Sequence, residues 1–255
     1  MNVISLQSGS NGNCIYVEAD GVRLLFDAGL SGMQAQERLA QHGRQATGID
    51  ALLISHEHGD HARGMGVFHR KFGVPVYVTA ETHRAAGRHR LGEIRHLVHF
   101  RAGESLRFGR VVVETYSTPH DSVDGVVFVV DDGRHRLGIL TDLGHVFSDL
   151  APLIASLDAV LLESNYDPDM LAYGDYPEWL KERIAGFGGH ISNFESAELL
   201  RDAAPRHLKW ACLGHLSQHN NTPELALQTH RRVLGDRLPV FVATRHEASP
   251  VMELG

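Results

Sequence analysis

One segment of the sequence is more informative than any other: Ala51-Leu52-Leu53-Ile54-Ser55-His56-Glu57-His58-Gly59-Asp60-His61. Its first four residues are an apolar run too short for a helix, so they predict a buried strand. Four potential metal ligands follow within six positions, namely His56, His58, Asp60 and His61. Alternate residues of an extended chain point the same way, so His56 and His58 can share one ion. The segment therefore predicts a strand that leads into ligands for two adjacent metal sites.

The high histidine content of the chain offers an explanation of this segment other than a metal site. The chain contains 18 histidines among 255 residues, so a polar loop that happens to be rich in histidine is the competing interpretation. A thiolate zinc site is excluded, because Cys14 and Cys212 are the only cysteines and lie near opposite ends of the chain. The same spacing gives no disulfide framework and fits a reducing compartment. Without a signal sequence or an apolar run of about 18 residues, the sequence predicts a cytoplasmic protein with no membrane partner.

The composition is that of a folded globular protein. Hydrophobic residues make up 43% and charged residues 22% of the chain, which excludes disordered, collagen-like and coiled-coil classes. No linker, low-complexity segment or repeat divides the chain, so we predict one domain over residues 1–255. The formal net charge of −7 argues against a protein that coats nucleic acid nonspecifically. A nuclease is still compatible with it, because metal ions and a local basic patch can bind phosphates.

Hydrophobic patterns predict strands in both halves of the chain. The predicted strands are residues 3–7, 15–18, 22–26, 51–54, 74–78, 111–116, 126–130, 136–141, 159–162, 208–213 and 240–243. The predicted helices are residues 33–41, 80–88, 177–184, 195–203 and 223–233. Strands dominate the first half and alternate with helices in the second. This order predicts an α/β (α+β) fold of two packed sheets with helices outside.

Potential ligands recur directly after predicted strands. His56, His120, Asp142, Glu163 and His215 each follow a strand end, and the carboxyl ends of buried strands are where α/β proteins gather their ligands. Taken alone, His120 is equally a turn histidine, and Asp142 is equally a helix N-cap. Together, the five residues predict convergence on one rim of the fold.

Two similar motifs lie in the C-terminal half: Gly189-His190-Ile191-Ser192-Asn193 and Gly214-His215-Leu216-Ser217-Gln218-His219-Asn220-Asn221. Each places a histidine two residues before a serine. Either motif is also explained as a loop that caps a helix, because Asn193 and Thr222 each precede a helical pattern.

The order and approximate spacing of these residues resemble a known family. The set His56-x-His58-x-Asp60-His61, His120, Asp142 and His215 is similar to the seven-ligand signature of metallo-β-lactamase-fold hydrolases. Within that superfamily the chain most resembles the YycJ (WalJ) group of bacterial exonucleases, through Ser8-Gly9-Ser10-Asn11-Gly12-Asn13-Cys14, Glu163-Ser164-Asn165, Tyr176-Pro177 and the two Gly-His motifs. The resemblance runs nearly end to end and implies a four-layer αββα sandwich. Ser55 and Tyr166 depart from the family pattern, which usually has threonine and often histidine there, but neither is an expected ligand.

The resemblance implies two divalent metal ions per chain. His56, His58 and His120 would hold one ion, Asp60, His61 and His215 would hold the other, and Asp142 would bridge both. Mixed imidazole and carboxylate ligands suit zinc, manganese or iron. Two such ions can share a hydroxide as the nucleophile and neutralise charge on an attacked phosphoryl centre.

The other motif residues are then available to the substrate. Asp60, as a ligand of the second ion, and His190, as a proton donor or phosphate contact, are the predicted catalytic residues. Neutral hydrogen bonds to phosphate, or bracing of the ligand loops, would come from Ser192, Asn193, Ser217, Asn220 and Asn221. The turn of residues 8–13 either faces an anion with its N–H groups or simply connects two strands.

A basic segment supports DNA as the substrate, although a solvated helix face is the competing explanation. It comprises Arg84, Arg88, His89, Arg90, Arg95, His96, His99 and Arg101. The leading hypothesis is a two-metal phosphodiesterase, a 5′ to 3′ exonuclease that acts on DNA. One alternative is a small-molecule hydrolase on the same fold, for a cyclic phosphodiester, a thioester or a lactone. The other is a metal-binding regulator without catalysis.

Overall fold

The first of two sheets contains the predicted metal-binding segment. The computed structural model describes residues 1–255. The sheet consists of β1 (Asn2–Gln7), β2 (Cys14–Ala19), β3 (Val22–Phe26), β4 (Ala51–Leu53), β5 (Val76–Thr79), β6 (Leu97–Phe100) and the C-terminal β14 (Met252–Glu253). Its order is β14-β1-β2-β3-β4-β5-β6. Strands β14 to β3 are antiparallel, and β3 to β6 are parallel.

The second sheet repeats this division into an antiparallel and a parallel half. It consists of β7 (Ser105–Phe108), β8 (Val111–Ser117), β9 (Val126–Asp131), β10 (Arg136–Leu140), β11 (Ala159–Glu163), β12 (Trp210–Gly214) and β13 (Val240–Val242), in the order β13-β12-β11-β10-β9-β8-β7. Strands β7 to β10 are antiparallel, and β10 to β13 are parallel. The carboxyl ends of β10, β11, β12 and β13 therefore share one edge.

Nine α-helices join the strands. They are α1 (Gly32–Gln41), α2 (Gly59–Ala62), α3 (Met65–Phe72), α4 (Ala80–Ala86), α5 (Leu150–Ala155), α6 (Pro168–Tyr173), α7 (Glu178–Ala185), α8 (Asn193–Ala203) and α9 (Pro223–Leu234). Helices α1 and α8 begin with a capping box, at Ser31 with Gln34 and at Ser192 with Glu195. None of the nine is long and apolar enough to cross a lipid bilayer.

Three hydrophobic layers fix the order of the sheets and helices. The central layer lies between the two sheets, where Phe26 and Phe128 meet at a ring-centroid distance of 5.1 Å. A second layer packs the first sheet against α1, α3 and α4, and a third packs the second sheet against α5, α8 and α9. Each strand between two layers is apolar on both faces, which explains uninterrupted runs such as residues 126–130. The predicted four-layer αββα sandwich is confirmed.

Every predicted strand and helix has a counterpart, but several elements were missed. The unpredicted ones include β6, β7, α3, α5 and α6. Strand β6 is an edge strand with two exposed residues in the middle, so it lacks the alternation that marks a half-buried strand. Helices α5 and α6 have six residues each, too few for a helical period to stand out.

Candidate metal centre

The predicted ligands meet at one edge of the sandwich, where loops from both sheets come together. His56 follows β4, His120 follows β8, Asp142 follows β10 and His215 follows β12 directly. Asp60 and His61 lie in the short helix α2. Both sheets thus contribute side chains to one cluster, as the positions after strand ends predicted.

Three histidines form the first ligand group. The nearest ring nitrogens of His56, His58 and His120 lie within 4.8 Å of one another. His120 donates its Nδ1–H to the carbonyl oxygen of Gly189 at 2.9 Å, and its Nε2 lies 3.3 Å from Nδ1 of His58. Because that hydrogen bond fixes the proton on Nδ1, the Nε2 lone pair of His120 is available to an ion.

Asp60, His61 and His215 form the second group, also within 4.8 Å. Asp142 lies between the two groups. Its Oδ2 is 3.3 Å from Nε2 of His61, and its Oδ1 is 3.6 Å from Nε2 of His120. The structure thus brings together all seven residues of the predicted ligand set, with Asp142 at the position expected of a bridge.

Two buried atoms show that this arrangement fits bound cations. Nε2 of His56 and Oδ2 of Asp142 are shielded from solvent and have no hydrogen-bond partner. A buried polar atom without a partner is costly, so such atoms call for an unseen ligand. Both atoms belong to residues of the ligand groups, and an imidazole nitrogen beside a carboxylate oxygen suits a divalent transition metal.

The backbone is strained at the same place. Asp142 and His215 have positive φ angles of 58° and 55°, a left-handed conformation that non-glycine residues rarely adopt. Such strain persists only where the surrounding structure holds it, and it concentrates at functional sites. Here it turns two side chains toward one point from the ends of β10 and β12, the strands on either side of β11.

The surroundings of the cluster shift the pKa values of two ligand histidines, His56 and His215, in opposite directions. Burial lowers the pKa of His56 well below its usual value, and the neighbouring His61 adds to this effect, so the neutral ligand form is favoured. For His215, burial also acts to lower the pKa, but Asp142, Asp60 and Glu163 together raise it to about 10. A divalent ion would replace the proton that these carboxylates attract.

Asp27 supports the second group and escaped the sequence analysis. It follows β3 with a φ of 64° and is buried. One carboxylate oxygen accepts the Nδ1–H of His61 at 2.8 Å, while the other accepts the backbone N–H of Ser55 at 2.8 Å. Asp27 thus fixes the tautomer of His61 that leaves Nε2 for an ion.

Changing Asp27 to asparagine should weaken metal binding by the group of Asp60, His61 and His215 by about 10–100-fold. Asparagine has nearly the same shape and tolerates the positive φ, but its amide no longer enforces the Nδ1–H tautomer of His61. Isothermal titration calorimetry of the metal-free protein with Mn²⁺ or Zn²⁺ would measure the change in affinity. Asp20→Asn is the matched control, because Asp20 is exposed and also has a positive φ, of 48°. Equal affinities in wild type and the Asp27 variant would contradict this role.

Glu163 is the central buried acceptor beneath the cluster, although its sequence position suggested only a possible ligand. It accepts the Nδ1–H of His190 at 2.7 Å and backbone N–H groups of Asp142, Leu143 and Ile191 at 3.1–3.3 Å. Nδ1 of His215 lies 3.3 Å away. Burial acts to raise the pKa of Glu163, but His190 and His215 lower it to about 2. Glu163 therefore orients side chains from three separate loops.

His190 lies at the wall of a cavity of about 220 Å³ that opens over the cluster. Its side chain is 19% exposed, and the bond to Glu163 leaves Nε2 available. Asp121, paired with Arg183 of α7 at 2.6 Å, lies on the same wall. The ring nitrogen of His190 also lies within 4.8 Å of ligand atoms of Asp142, Glu163 and His215, so geometry alone allows it to bind a metal ion as well as to act on a substrate in the cavity.

Five residues were predicted either to contact phosphate or to brace the ligand loops, and most of them brace the loops. They are Ser192, Asn193, Ser217, Asn220 and Asn221. Asn193 is fully buried, and its amide bonds to Asn221 and to Ser164. Ser192 caps α8, and Asn220 is 1% exposed. None of the five lines the cavity over the cluster, whereas Ser217 and Asn221 line a neighbouring cavity. Direct phosphate contact by Ser192, Asn193 or Asn220 is thus not supported.

The turn of residues 8–13 is mainly a connection between strands. Its N–H groups at Ser8, Gly9, Gly12 and Asn13 all have partners within the protein. Asn13 donates to the carbonyl oxygen of Asp60 at 2.7 Å. Gly29 makes this approach possible, since a Cβ there would lie 1.7 Å from the same oxygen. The turn therefore positions the Asp60 loop and offers few free donors to an anion.

Part of the basic segment reaches the metal-binding loop. His89 donates from Nε2 to the carbonyl oxygen of Glu57 at 2.8 Å, and Arg88 approaches the same oxygen at 3.5 Å. Arg84 and Arg95 instead pair with Glu81 and Glu93. Among the arginines of the segment, Arg88 thus approaches the metal-binding loop, and both Arg88 and Arg90 are exposed.

Comparison with known proteins identifies the family. A model of the metallo-β-lactamase superfamily matches residues 8–175. The chain therefore belongs to the metallo-β-lactamase superfamily, and it is a metal-dependent hydrolase.

Individual similar proteins define the group within the superfamily. The chain is 37% identical to exodeoxyribonuclease WalJ of Streptococcus pneumoniae over 229 residues, which cover 88% of this chain and 84% of the relative. It is 35% identical to exodeoxyribonuclease YycJ of Bacillus anthracis over 234 residues, covering 91% and 88%. The crystal structure of YhfI from Bacillus subtilis has the same fold, with a TM-score of 0.73 at 18% identity and coverage of 97% and 98%. The resemblance to the YycJ (WalJ) group is confirmed.

Proposed function

We propose that this protein is a two-metal phosphodiesterase that removes nucleotides from DNA in the 5′ to 3′ direction. The observation that carries the proposal is the pair of ligand groups joined by Asp142, together with His190 held at the cavity wall. The exodeoxyribonucleases to which the chain is 35–37% identical support DNA as the substrate. Since both sheets supply ligands to one centre, we also propose a single domain over residues 1–255. A cytoplasmic location is part of the proposal, supported by two buried free cysteines.

The residues of the chain have separate tasks in this reaction. His56, His58 and His120 would hold one ion, Asp60, His61 and His215 the other, and Asp142 both. Zinc, manganese or iron bound there would neutralise charge at the attacked phosphoryl group and acidify a water nucleophile. His190 would donate a proton from Nε2 to the leaving oxygen, with its ring held by Glu163. The small, polar cavity admits a phosphodiester while larger parts of the substrate lie outside.

A substrate panel tests the proposal. The metal-loaded protein is offered a 5′-labelled DNA duplex, bis(p-nitrophenyl) phosphate, a thioester and a lactone. We expect stepwise shortening of the DNA and slower hydrolysis of the chromogenic diester. Turnover of the thioester or lactone alone would instead establish the small-molecule alternative. Fewer than one ion per chain, with no loss of any activity in Asp60→Ala, would establish a regulator without catalysis.

Reversal of charge in the basic segment should affect DNA more than a small diester. In the variant Arg88→Glu with Arg90→Glu, two exposed cations become anions that repel the phosphate backbone. We expect at least about tenfold weaker binding of DNA at low salt, measured by fluorescence anisotropy, and a much smaller change in hydrolysis of bis(p-nitrophenyl) phosphate. Arg134→Glu is the control, since Arg134 is exposed in the β9–β10 turn. Equal losses on both substrates would contradict a binding role.

A further inference from the structure

A second polar cavity lies beside the metal centre, with a volume of about 500 Å³. Its wall is formed by the end of β1, the loop after β12 and the segment after β13. Two of its twelve lining residues are hydrophobic, and the polar ones include Ser8, Ser217, Asn221, Thr222, Arg245 and His246. Glu247 is the acidic residue of this wall. The cavity thus offers mostly neutral donors and one guanidinium group.

Arg245 is held firmly but has no anionic partner. Its Nη1 donates to Oδ1 of Asn11 at 3.0 Å, and its Nη2 donates to the carbonyl oxygen of Leu216 at 2.7 Å. Both acceptors are neutral, and burial lowers the pKa of Arg245 from its usual value. A partly buried guanidinium retains strong donors for a carboxylate or phosphate. Arg245 can therefore bind an anion that enters the cavity.

Two features indicate that Arg245 and the metal centre can bind the same substrate. The side-chain oxygen of Ser8, in the cavity wall, accepts the backbone N–H of His215 at 2.8 Å, so the wall is bonded to the backbone of a predicted ligand. Helix α9 begins at Thr222 and Pro223 of the wall. Over its 12 residues it presents the positive end of its dipole to the cavity.

Positive groups therefore flank the metal centre on both sides along the shared edge of the sheets. Arg88 approaches the Glu57 carbonyl on the β5 side, and Arg245 lies on the β1 side. Neither arginine lines the 220 Å³ cavity, so a compact ester held in that cavity does not depend on them. An extended polyanion would reach both.

We propose that Arg245 binds a backbone phosphate of the nucleic acid on the His215 side of the scissile bond, with the α9 end of the cavity holding the adjoining sugar. The inference rests on the proposed nuclease function and narrows it to a strand that spans several nucleotides. The bond is a charge-assisted contact between guanidinium and phosphate, so its loss weakens the binding of any sequence equally.

Kinetics of Arg245 variants test this subsite. In Arg245→Gln, kcat/KM for a DNA oligonucleotide should fall about tenfold further than kcat/KM for bis(p-nitrophenyl) phosphate. The slope of log KM against log salt concentration should decrease by about one unit, because one phosphate contact is lost. Arg245→Lys should recover part of the loss, since it keeps the charge without the planar fork. Arg134→Gln is the matched control and should leave the ratio of the two substrates unchanged.

The outcomes separate the subsite from the function on which it rests. Equal losses on both substrates with an unchanged salt slope would show that Arg245 merely braces Asn11 and Leu216, and would overturn the subsite alone. Oligonucleotides with a 5′-phosphate or a 5′-hydroxyl distinguish an internal phosphate from a terminal one, and an effect confined to the 5′-phosphate would overturn the backbone assignment. A wild-type protein that hydrolyses the chromogenic diester but no DNA would overturn the exonuclease proposal and the subsite with it.

Discussion

Changing Asp142 to asparagine should reduce phosphodiester hydrolysis by on the order of 10³-fold. Asp142 lies between the two ligand groups, with carboxylate oxygens 3.3 Å from His61 Nε2 and 3.6 Å from His120 Nε2. Asparagine keeps the volume of the side chain and tolerates the φ of 58°. It removes the negative charge that would offset two cations in the proposed two-metal arrangement, so both ligand groups should lose affinity for metal.

Metal content and rate have to be measured together for Asp142→Asn. We expect fewer bound ions per chain by mass spectrometry and a rate for bis(p-nitrophenyl) phosphate that excess metal does not restore. Asp20→Asn controls for an asparagine in a left-handed conformation, because it makes the same substitution at an exposed position with a φ of 48°. Wild-type rate and metal content in Asp142→Asn would mean that this carboxylate joins no metal sites.

The ligand positions could be predicted because their signal is local. A buried strand followed by a histidine or an aspartate is visible in the sequence, and parallel strands bring such positions to one edge. Asp27 carries the same signal, because it directly follows β3, but nothing in the sequence names His61 as its partner, and Arg245 gives no such signal at all. Asp27 contacts His61 across 34 positions and Arg245 contacts Asn11 across 234, so the roles of both appear only in the folded chain.

Burial decided what the sequence left open for the polar residues of the two Gly-His motifs. An asparagine that contacts phosphate and one that braces a loop look alike in sequence. Asn193 is fully buried and Asn221 is 6% exposed. Their amides bond to each other and to the backbone of residues 164 and 165. These contacts assign them to the support of the loops that carry His190 and His215.

Changing Glu163 to glutamine should lower kcat by about 100-fold and the affinity for metal by about 10–100-fold. Both carboxylate oxygens of Glu163 accept hydrogen bonds, from His190 and from the backbone N–H groups of Asp142, Leu143 and Ile191. An amide has one acceptor oxygen, so its NH₂ group must face donors on one side. The ring of His190 or the strained turn at Asp142 then loses its support. A buried donor without an acceptor costs about 1–3 kcal/mol, so the free energy of unfolding should fall as well.

The effect of Glu163→Gln on chemistry can be separated from its effect on stability. Denaturation with urea gives the change in the free energy of unfolding, and rates are measured well below the transition with saturating metal. If Glu163 orients His190, a substrate with a better leaving group, such as a p-nitrophenyl diester, should lose less activity than DNA, because it depends less on a proton donor. Glu198→Gln, at a partly exposed position on α8 that pairs with Arg201, is the matched control. Equal losses on DNA and on the p-nitrophenyl diester would assign Glu163 to metal binding alone, because only the proton-donor role distinguishes the two leaving groups.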